Sequence, residues 1–284
     1  MQHLIDPEDR EFYPKAYDNA KFMHSAHART LRVLAEYLEP QSRLRMQKIR
    51  STIVFFGSAR SIGSDELDEQ LAELERELVA RDDLKRRQIE RRLRNLRRLA
   101  KYYDEAVELS SLLAEYYNKM PDPRDRHVIC SGAGPGMMEA ANRGAHEANA
   151  KTLGLSISLP FEQGVNRYLN PKETFEFHYF FMRKYWFIYL ARALVVFPGG
   201  FGTMDELFEV LTLLQTRKIR RDLPIVLYGS EYWNSVVNFQ KMIEWGVISE
   251  NDISLFQICD SPEEAFVHLT AAIEQAGQYP GYHG

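Results

Sequence analysis

Residues 198 to 206 read Pro198-Gly199-Gly200-Phe201-Gly202-Thr203-Met204-Asp205-Glu206, after the apolar run Leu194-Val195-Val196-Phe197 and before the helical pattern Leu207-Phe208-Glu209-Val210-Leu211. The order is buried strand, glycine loop, helix start. Glycines let the backbone approach a ligand without Cβ interference, and the first helical turn leaves N–H groups unpaired, so the stretch predicts an anion site, most often for phosphate. Gly199, Gly200, Phe201, Gly202 and Thr203 are the candidate contacts. The loop ends in Glu206, which would repel phosphate and so suits chemistry beside it. A structural alternative stands next to this one: Thr203-x-x-Glu206 is also the capping-box pattern, in which both side chains only close a helix. The helix dipole would favour an ionised Glu206 on either reading.

Arg183 supplies a second group. It lies near the start of an aromatic-rich helical stretch, Tyr179-Phe180-Phe181-Met182-Arg183-Lys184-Tyr185-Trp186, expected to run to about Arg192. A helix of about ten residues covers about 15 Å and a strand of about five returns about 16 Å. Arg183 is thereby expected level with the loop from Gly199 to Glu206. Lys184 is a more ambiguous neighbour, because adjacent helical residues point in different directions.

Two more strand ends are glycine-rich, Gly57-Ser58-Ala59-Arg60 and Ser131-Gly132-Ala133-Gly134-Pro135-Gly136. The second is not a dinucleotide fingerprint, since Met137 occupies the third glycine position and the run follows the second strand. Pro135 or Gly136 suits the first turn of a helix. Gly57, Ser58, Gly132, Gly134 and Gly136 are candidate binding positions if the three turns converge.

The elements that must position these residues alternate. Strands are expected at 52–56, 127–130, 152–157, 194–197, 225–228 and 256–259, and helices near 101–118, 136–149, 179–192, 204–217, 231–245 and 262–276. This predicts an α/β fold, a doubly wound, mostly parallel sheet with helices on both faces and ligands at the carboxyl ends of its strands. Residues 1–50 form an N-terminal helical extension with an amphipathic helix over 18–38, and 51–284 the main domain. A charged insertion at about 63–100 is acidic from Asp65 to Glu77 and basic from Lys85 to Lys101, with leucines throughout. It predicts a helical hairpin with facing opposite charges, turning near Asp82-Asp83.

The 284 residues, 45% hydrophobic and 27% charged, suffice for one large core. A net charge of −4 and pI near 6.1 give no basic excess of the kind a dedicated nucleic-acid binder carries. Cys130 and Cys259 lie in apolar segments without metal-ligand spacing, so no metal is expected and the context is a reduced, cytoplasmic one. Neither a signal peptide nor a membrane-spanning run is expected.

Pro198-Gly199-Gly200-Phe201-Gly202-Thr203-x-x-Glu206, preceded by Met182-Arg183-Lys184 and by the second-strand glycine turn, closely resembles the LOG ("Lonely guy") family of nucleotide 5'-monophosphate phosphoribohydrolases. Some members carry an older label, possible lysine decarboxylase. The resemblance covers roughly 50–62 and 101–276. It implies a Rossmann-like fold, a homodimer or higher homo-oligomer, and cleavage of the N-glycosidic bond of an AMP-like nucleoside monophosphate to free base and ribose 5-phosphate, without a cofactor. It places the catalytic groups on Arg183 and Glu206 and the phosphate and ribose contacts on Gly200 to Thr203, with Lys184, Thr212 and Glu162 as further matches. Glu206 would stabilise charge on the sugar, hold a ribose hydroxyl or orient water. The sequence departs from the family in the 162–177 loop, in Ala133 where a third consecutive glycine is usual, and in the charged insertion. A non-catalytic nucleotide-binding or carrier protein using the same cradle is the alternative. Decarboxylation would need a pyridoxal cofactor with a Schiff-base lysine, which these motifs do not build.

Overall fold

The structure is a computed structural model and describes residues 15–78, 83–160 and 164–277. Met1–Arg43 and Leu44–Gly284 are separate compact units. In the first, the single helix expected over 18–38 is replaced by α1 (Ala20–Met23) and the start of α2 (Arg29–Met46), separated by a 3-10 turn at Ala26–Ala28. Arg32 explains the break: its guanidinium donates to the carbonyls of Met23 at 2.8 Å and Ser25 at 2.6 Å, which holds the chain out of helix there.

The second unit is built on seven strands: β1 (Thr52–Phe56), β2 (Val128–Ser131), β3 (Thr152–Ile157), β4 (Thr174–Phe177), β5 (Ala191–Val196), β6 (Ile225–Tyr228) and β7 (Gln257–Cys259). Every pairing is parallel, in the order β4-β3-β2-β1-β5-β6-β7. β1 to β5 are interleaved with α3 (Ser64–Leu78), α4 (Asp83–Asn118), α5 (Met137–Glu147) and α6 (Phe180–Leu190). α7 (Phe201–Gln215), α8 (Ser230–Val236), α9 (Phe239–Glu244) and α10 (Pro262–Gln275) complete the α/β, Rossmann-like fold. The chain winds outward from β1 to β4, then returns to the other side of β1 with β5. That reversal opens a crevice at the carboxyl ends of β1 and β5, where doubly wound sheets bind ligands. β1 and β5 are buried along their whole length, as two-sided coverage requires. The core runs through stacked Phe55, Phe197 and Tyr228, with ring centroids 6.1 and 4.4 Å apart.

β4 was not among the expected strands. Its Thr-Phe-Glu-Phe alternation buries Phe175 and Phe177 and exposes Glu176, the pattern of a short edge strand. The expected helix at 231–245 is two helices, α8 and α9, and α6 ends at Leu190, so that Ala191 and Arg192 already belong to β5.

The insertion is a hairpin, but opposite charge does not hold it. Leu71 and Leu74 of α3 pack with Ile89, Leu93 and Leu96 of α4, supported by Ile62 and Leu67. The cross-hairpin ion pair, Arg97 to Glu75 at 3.4 Å, is more than half exposed at both ends and adds little. The helix expected at 101–118 is no separate element. α4 runs unbroken for 36 residues, without glycine or proline, from the insertion into the main domain.

Candidate functional site

The three glycine turns converge, as the strand order demands. The Ser58 N–H donates to the Pro198 carbonyl at 3.0 Å, the Met137 N–H to the Ser58 carbonyl at 3.0 Å, and the Phe197 N–H to the Phe56 carbonyl at 2.8 Å. Gly57, Ser58, Gly132, Gly134 and Gly199 to Thr203 all line one cleft of about 1870 Å³, together with Arg183 and Glu206. Gly136 is not at its surface; it holds the turn beneath, with φ +72°, and a Cβ there would run into Ser58 O and sit 2.8 Å from the Ala59 Cα. Glu162 lies outside the described residues.

α7 begins at Phe201, with Gly200 as its N-cap. Thr203 is thus inside the helix, and the capping-box alternative does not describe this turn: Glu206 pairs with Arg183 instead. The Thr203 side chain folds back over Gly199, where a Cβ would collide with its hydroxyl. At Gly200 and Gly202 an added Cβ would meet nothing within 4 Å. The protein's own packing does not require glycine at those two positions, which leave the N–H groups of the first helical turn accessible from the cleft. Tyr232, which sequence reasoning missed, donates its hydroxyl to the Gly199 carbonyl and fixes the loop from α8.

Arg183, in the first turns of α6, donates from Nη2 to Glu206 Oε1 at 3.1 Å. The side chains are 12% and 14% exposed. Burial pushes the Glu206 carboxyl up to about 7 against the opposing pull of Arg183. The same burial lowers the Arg183 guanidinium from its ordinary value, with Glu206 acting in the other direction. The guanidinium lies over the rings of Phe180 and Phe187, 5.4 and 5.5 Å from their centroids, contacts that favour a cation. Gly132 is its near neighbour: a Cβ there would stand 3.8 Å from Arg183 Nη1. The arrangement is a titratable carboxylate held by a buried cation beside an open anion cradle, able to stabilise positive charge on a phosphorylated ligand.

Lys184 and Thr212 do not join it. They line a separate shallow depression with Asp205 and Glu209. Lys184 bonds to both carboxylates at 2.8 Å, and although burial alone would lower its ammonium, those two bonds outweigh it and the net shift is upward. The Thr212 hydroxyl donates back to the Phe208 carbonyl at 2.7 Å.

The turn after β2 rests on a buried polar network whose sequence signal is weak. Asn166 donates from its side chain to the carbonyls of Ala133 and Gly134, each at 3.1 Å, and to Asn142 Oδ1 at 2.9 Å. Asn142 accepts from Ser131 at 2.6 Å and donates to Thr152 at 2.6 Å. These bonds hold Ala133 at φ +66°, a left-handed conformation that glycine adopts without the strain an alanine carries.

A doubly wound α/β protein with a glycine cradle and a buried Arg–Glu pair at its switch point is the class that the fold and site define. The family model described as "Possible lysine decarboxylase" matches residues 138–269. The chain is 26% identical over 151 residues to "Probable cytokinin riboside 5'-monophosphate phosphoribohydrolase LOG4" of Oryza sativa subsp. japonica, covering 52% of this chain and 64% of that protein. It is 27% identical over 154 residues to "Cytokinin riboside 5'-monophosphate phosphoribohydrolase LOG4" of Arabidopsis thaliana, covering 53% and 66%. The matched segment therefore spans just under two thirds of each relative. Over this segment the chain is similar to the LOG family. Among solved structures, the Moco carrier protein from Chlamydomonas reinhardtii aligns over 80% of this chain and 99% of that one, at 15% identity and TM-score 0.43.

The residues do not fit a pyridoxal group. Among the described residues, the lysine lining the cleft is Lys101, exposed and paired with Glu105 at 3.6 Å, while Lys184 is outside it. Among the described residues, no cluster of three or more His, Cys, Asp or Glu is placed to hold a metal, and no helix is long and apolar enough to cross a membrane.

Proposed function

We propose that the protein hydrolyses the N-glycosidic bond of nucleoside 5'-monophosphates, AMP-like substrates included, releasing free base and ribose 5-phosphate. The observation that carries this reading is the buried Arg183–Glu206 pair beside an open glycine cradle. The 5'-phosphate sits on the N–H groups of Gly200 to Thr203 and the ribose lies towards Glu206. As the bond from C1' to the base breaks, its electron pair leaves with the base and positive charge builds on the sugar. The Glu206 carboxylate interacts more strongly with that charge than with the neutral ground state, which is what lowers a barrier. Water adds its oxygen to C1', and its proton balances the departing base. Arg183 holds Glu206 in place and favours its ionised form. Gly57, Ser58, Gly132 and Gly134 shape the cleft, and Gly136 positions the turn below it. In this reading Lys184, Thr212 and Glu162 have no assigned step. The protein works as a homodimer or higher homo-oligomer, which sedimentation velocity will check.

The test is incubation of the folded protein with AMP, GMP, CMP, UMP and a cytokinin riboside monophosphate, with free base and ribose 5-phosphate read by chromatography. Base release is expected from at least one, and Glu206→Gln is expected to lose about 10²–10⁴-fold in kcat, the range of a positioned acid–base group. Folded protein that releases no base overturns the hydrolase. Nucleotide binding without turnover, unchanged by Glu206→Gln, favours the carrier alternative.

A further inference from the structure

The carboxylates on the wall of the cleft, Glu176, Glu206 and Glu231, differ in what they already hold. Glu206 is paired with Arg183 at 3.1 Å and Glu231 with Arg98 at 3.4 Å. The Glu176 side chain has no hydrogen bond or ion pair among the described residues. It lines the cleft as an acceptor with both oxygens available.

Its place in the sheet says which part of a nucleotide reaches it. The cradle follows β5, Arg183 lies beside Gly132 at the end of β2, and Glu176 is on β4, the edge strand two places beyond β2. Two strand spacings are about 10 Å. A nucleotide with its phosphate on the cradle and its ribose at Glu206 therefore carries its base along this line, towards β3 and β4. The opposite direction leads past the cradle to Glu231 of α8 and to the Arg91, Asn95 and Arg98 wall of α4.

The β3–β4 end has the make-up of a base site. Ser156 is the register partner of Glu176, so the two side chains share one face of the sheet, and both line the cleft. Half-exposed Phe180 and Val165 line it as well, with Met138, and offer apolar surface to the faces of a ring. Apolar walls with a few placed polar groups are what fix orientation and specificity in a small-molecule pocket. Base edges differ in what they offer a carboxylate. Guanine presents N1–H and its N2 amino group side by side, two donors for two oxygens. Adenine sets one amino group beside the N1 lone pair, and cytosine one beside the N3 lone pair, which a carboxylate repels. Uracil flanks its N3–H with two carbonyls. Hypoxanthine keeps the N1–H and lacks the amino group.

We infer that Glu176 reads the base and that the cleft prefers guanosine 5'-monophosphate over the other nucleoside 5'-monophosphates, with AMP a weaker ligand of the same site. This deepens the proposed function and rests on its placement of the phosphate and ribose.

The test compares GMP, IMP, AMP and 1-methyl-GMP, which lacks the N1–H. Turnover is read on the full chain as kcat/KM for base release, and binding as Kd by calorimetry on Glu206→Gln, which slows the proposed reaction. GMP is expected to exceed AMP about tenfold or more in both readouts, the range of one good bidentate contact. IMP is expected between them and 1-methyl-GMP at the level of AMP. Glu176→Gln, which exchanges one acceptor for a donor, is expected to bring the ratio of GMP to AMP near one. Glu231→Gln, which removes a carboxylate from the other end of the cleft, is expected to keep it. The inference is overturned if AMP equals or exceeds GMP, if 1-methyl-GMP matches GMP, if Glu176→Gln keeps the preference, or if Glu231→Gln loses it equally. The analogue series on the unaltered chain decides the matter even if a variant does not fold. Preference in binding without base release overturns the hydrolase alone; base release without preference overturns the base reading alone. Failure of all four nucleotides to bind overturns both.

Discussion

The turns after β2 and β5 look alike in sequence, each a glycine-rich passage from strand to helix, yet their glycines answer to different demands. Gly136 is bound to the fold: φ +72° and the backbone of Ser58 and Ala59 leave no room for a Cβ. Gly200 and Gly202 face open space. Glycine that packing requires marks where the chain must pass; glycine that packing does not require marks where something else must approach. One turn sets the floor of the cleft, and the other is available to a ligand.

The largest effect that tests this contrast is on stability. Gly136→Ala combines left-handed strain with a collision against backbone, which cannot give way as a flexible side chain can. A loss of about 2–4 kcal/mol is expected in urea unfolding. A loss below about 1 kcal/mol would show that the turn relaxes easily and that Gly136 is not bound by packing.

The second effect concerns the charge beside the β5 turn. Glu206, pushed up to about 7 by burial, is protonated in the folded state between its ordinary value and 7. Stability from this group is therefore fully present at low pH and is lost as pH rises to 7 and beyond. Buried His127, bonded to Ser51 at 2.7 Å and lowered to about 4 by desolvation, works the other way, its contribution disappearing as pH falls from its ordinary value towards 4. In the proposed reaction, turnover should rise with pH through about 7 as Glu206 ionises. Arg183→Met removes the cation that opposes the shift, so the Glu206 midpoint, followed by carboxyl-carbon NMR, is expected to rise by about 1–3 units. A midpoint that stays at 7 would mean that the pair is not coupled in solution.

Gly200→Ala sharpens the comparison from the ligand side. With nothing near its Cβ and φ −94°, the variant should fold with stability within about 0.5 kcal/mol of the parent. Its methyl group stands where the phosphate is proposed to approach, and AMP affinity is expected to fall about tenfold. Unchanged affinity, measured by calorimetry, would move the phosphate away from this loop.

Much of this was legible in the sequence because length and period fix it. The strand and helix lengths between Arg183 and the glycine loop brought the pair level, and β3 and β6 occupy the expected residues. The misses have physical reasons. β4 lies at a sheet edge and alternates Thr-Phe-Glu-Phe, so no run of apolar residues announces it. The α7 start was expected at Met204 because glycine reads as loop, whereas Gly202 sits inside the first turn. Charge along α4 is visible in sequence, but which charges face a cleft depends on how the leucine seam orients the helix. Asn166 lies in the 162–177 loop, and its importance comes from two carbonyls more than 30 residues away.

Ala133 is the smallest test and the most delicate, because it is an ordinary residue doing a glycine's work in the turn that packing governs. Its left-handed conformation costs about 1–2 kcal/mol relative to glycine. Replacing it by glycine relieves that strain but frees the unfolded chain, at about 0.4–1 kcal/mol, and deletes a fully buried methyl group worth about 0.8 kcal/mol. The terms nearly cancel, so Ala133→Gly is expected to change unfolding free energy by less than about 1 kcal/mol. The strain persists because Asn166 holds both carbonyls of the turn, and Asn166→Ala, which leaves the Gly134 carbonyl without its side-chain donor while the backbone N–H of residue 166 still reaches the Ala133 carbonyl, is expected to cost about 1–3 kcal/mol. If Ala133→Gly is strongly destabilising, the methyl group is a packing element that the fold depends on. If Asn166→Ala becomes much less costly in the Ala133→Gly background, the clamp exists to hold the strained alanine, and the two positions form one device.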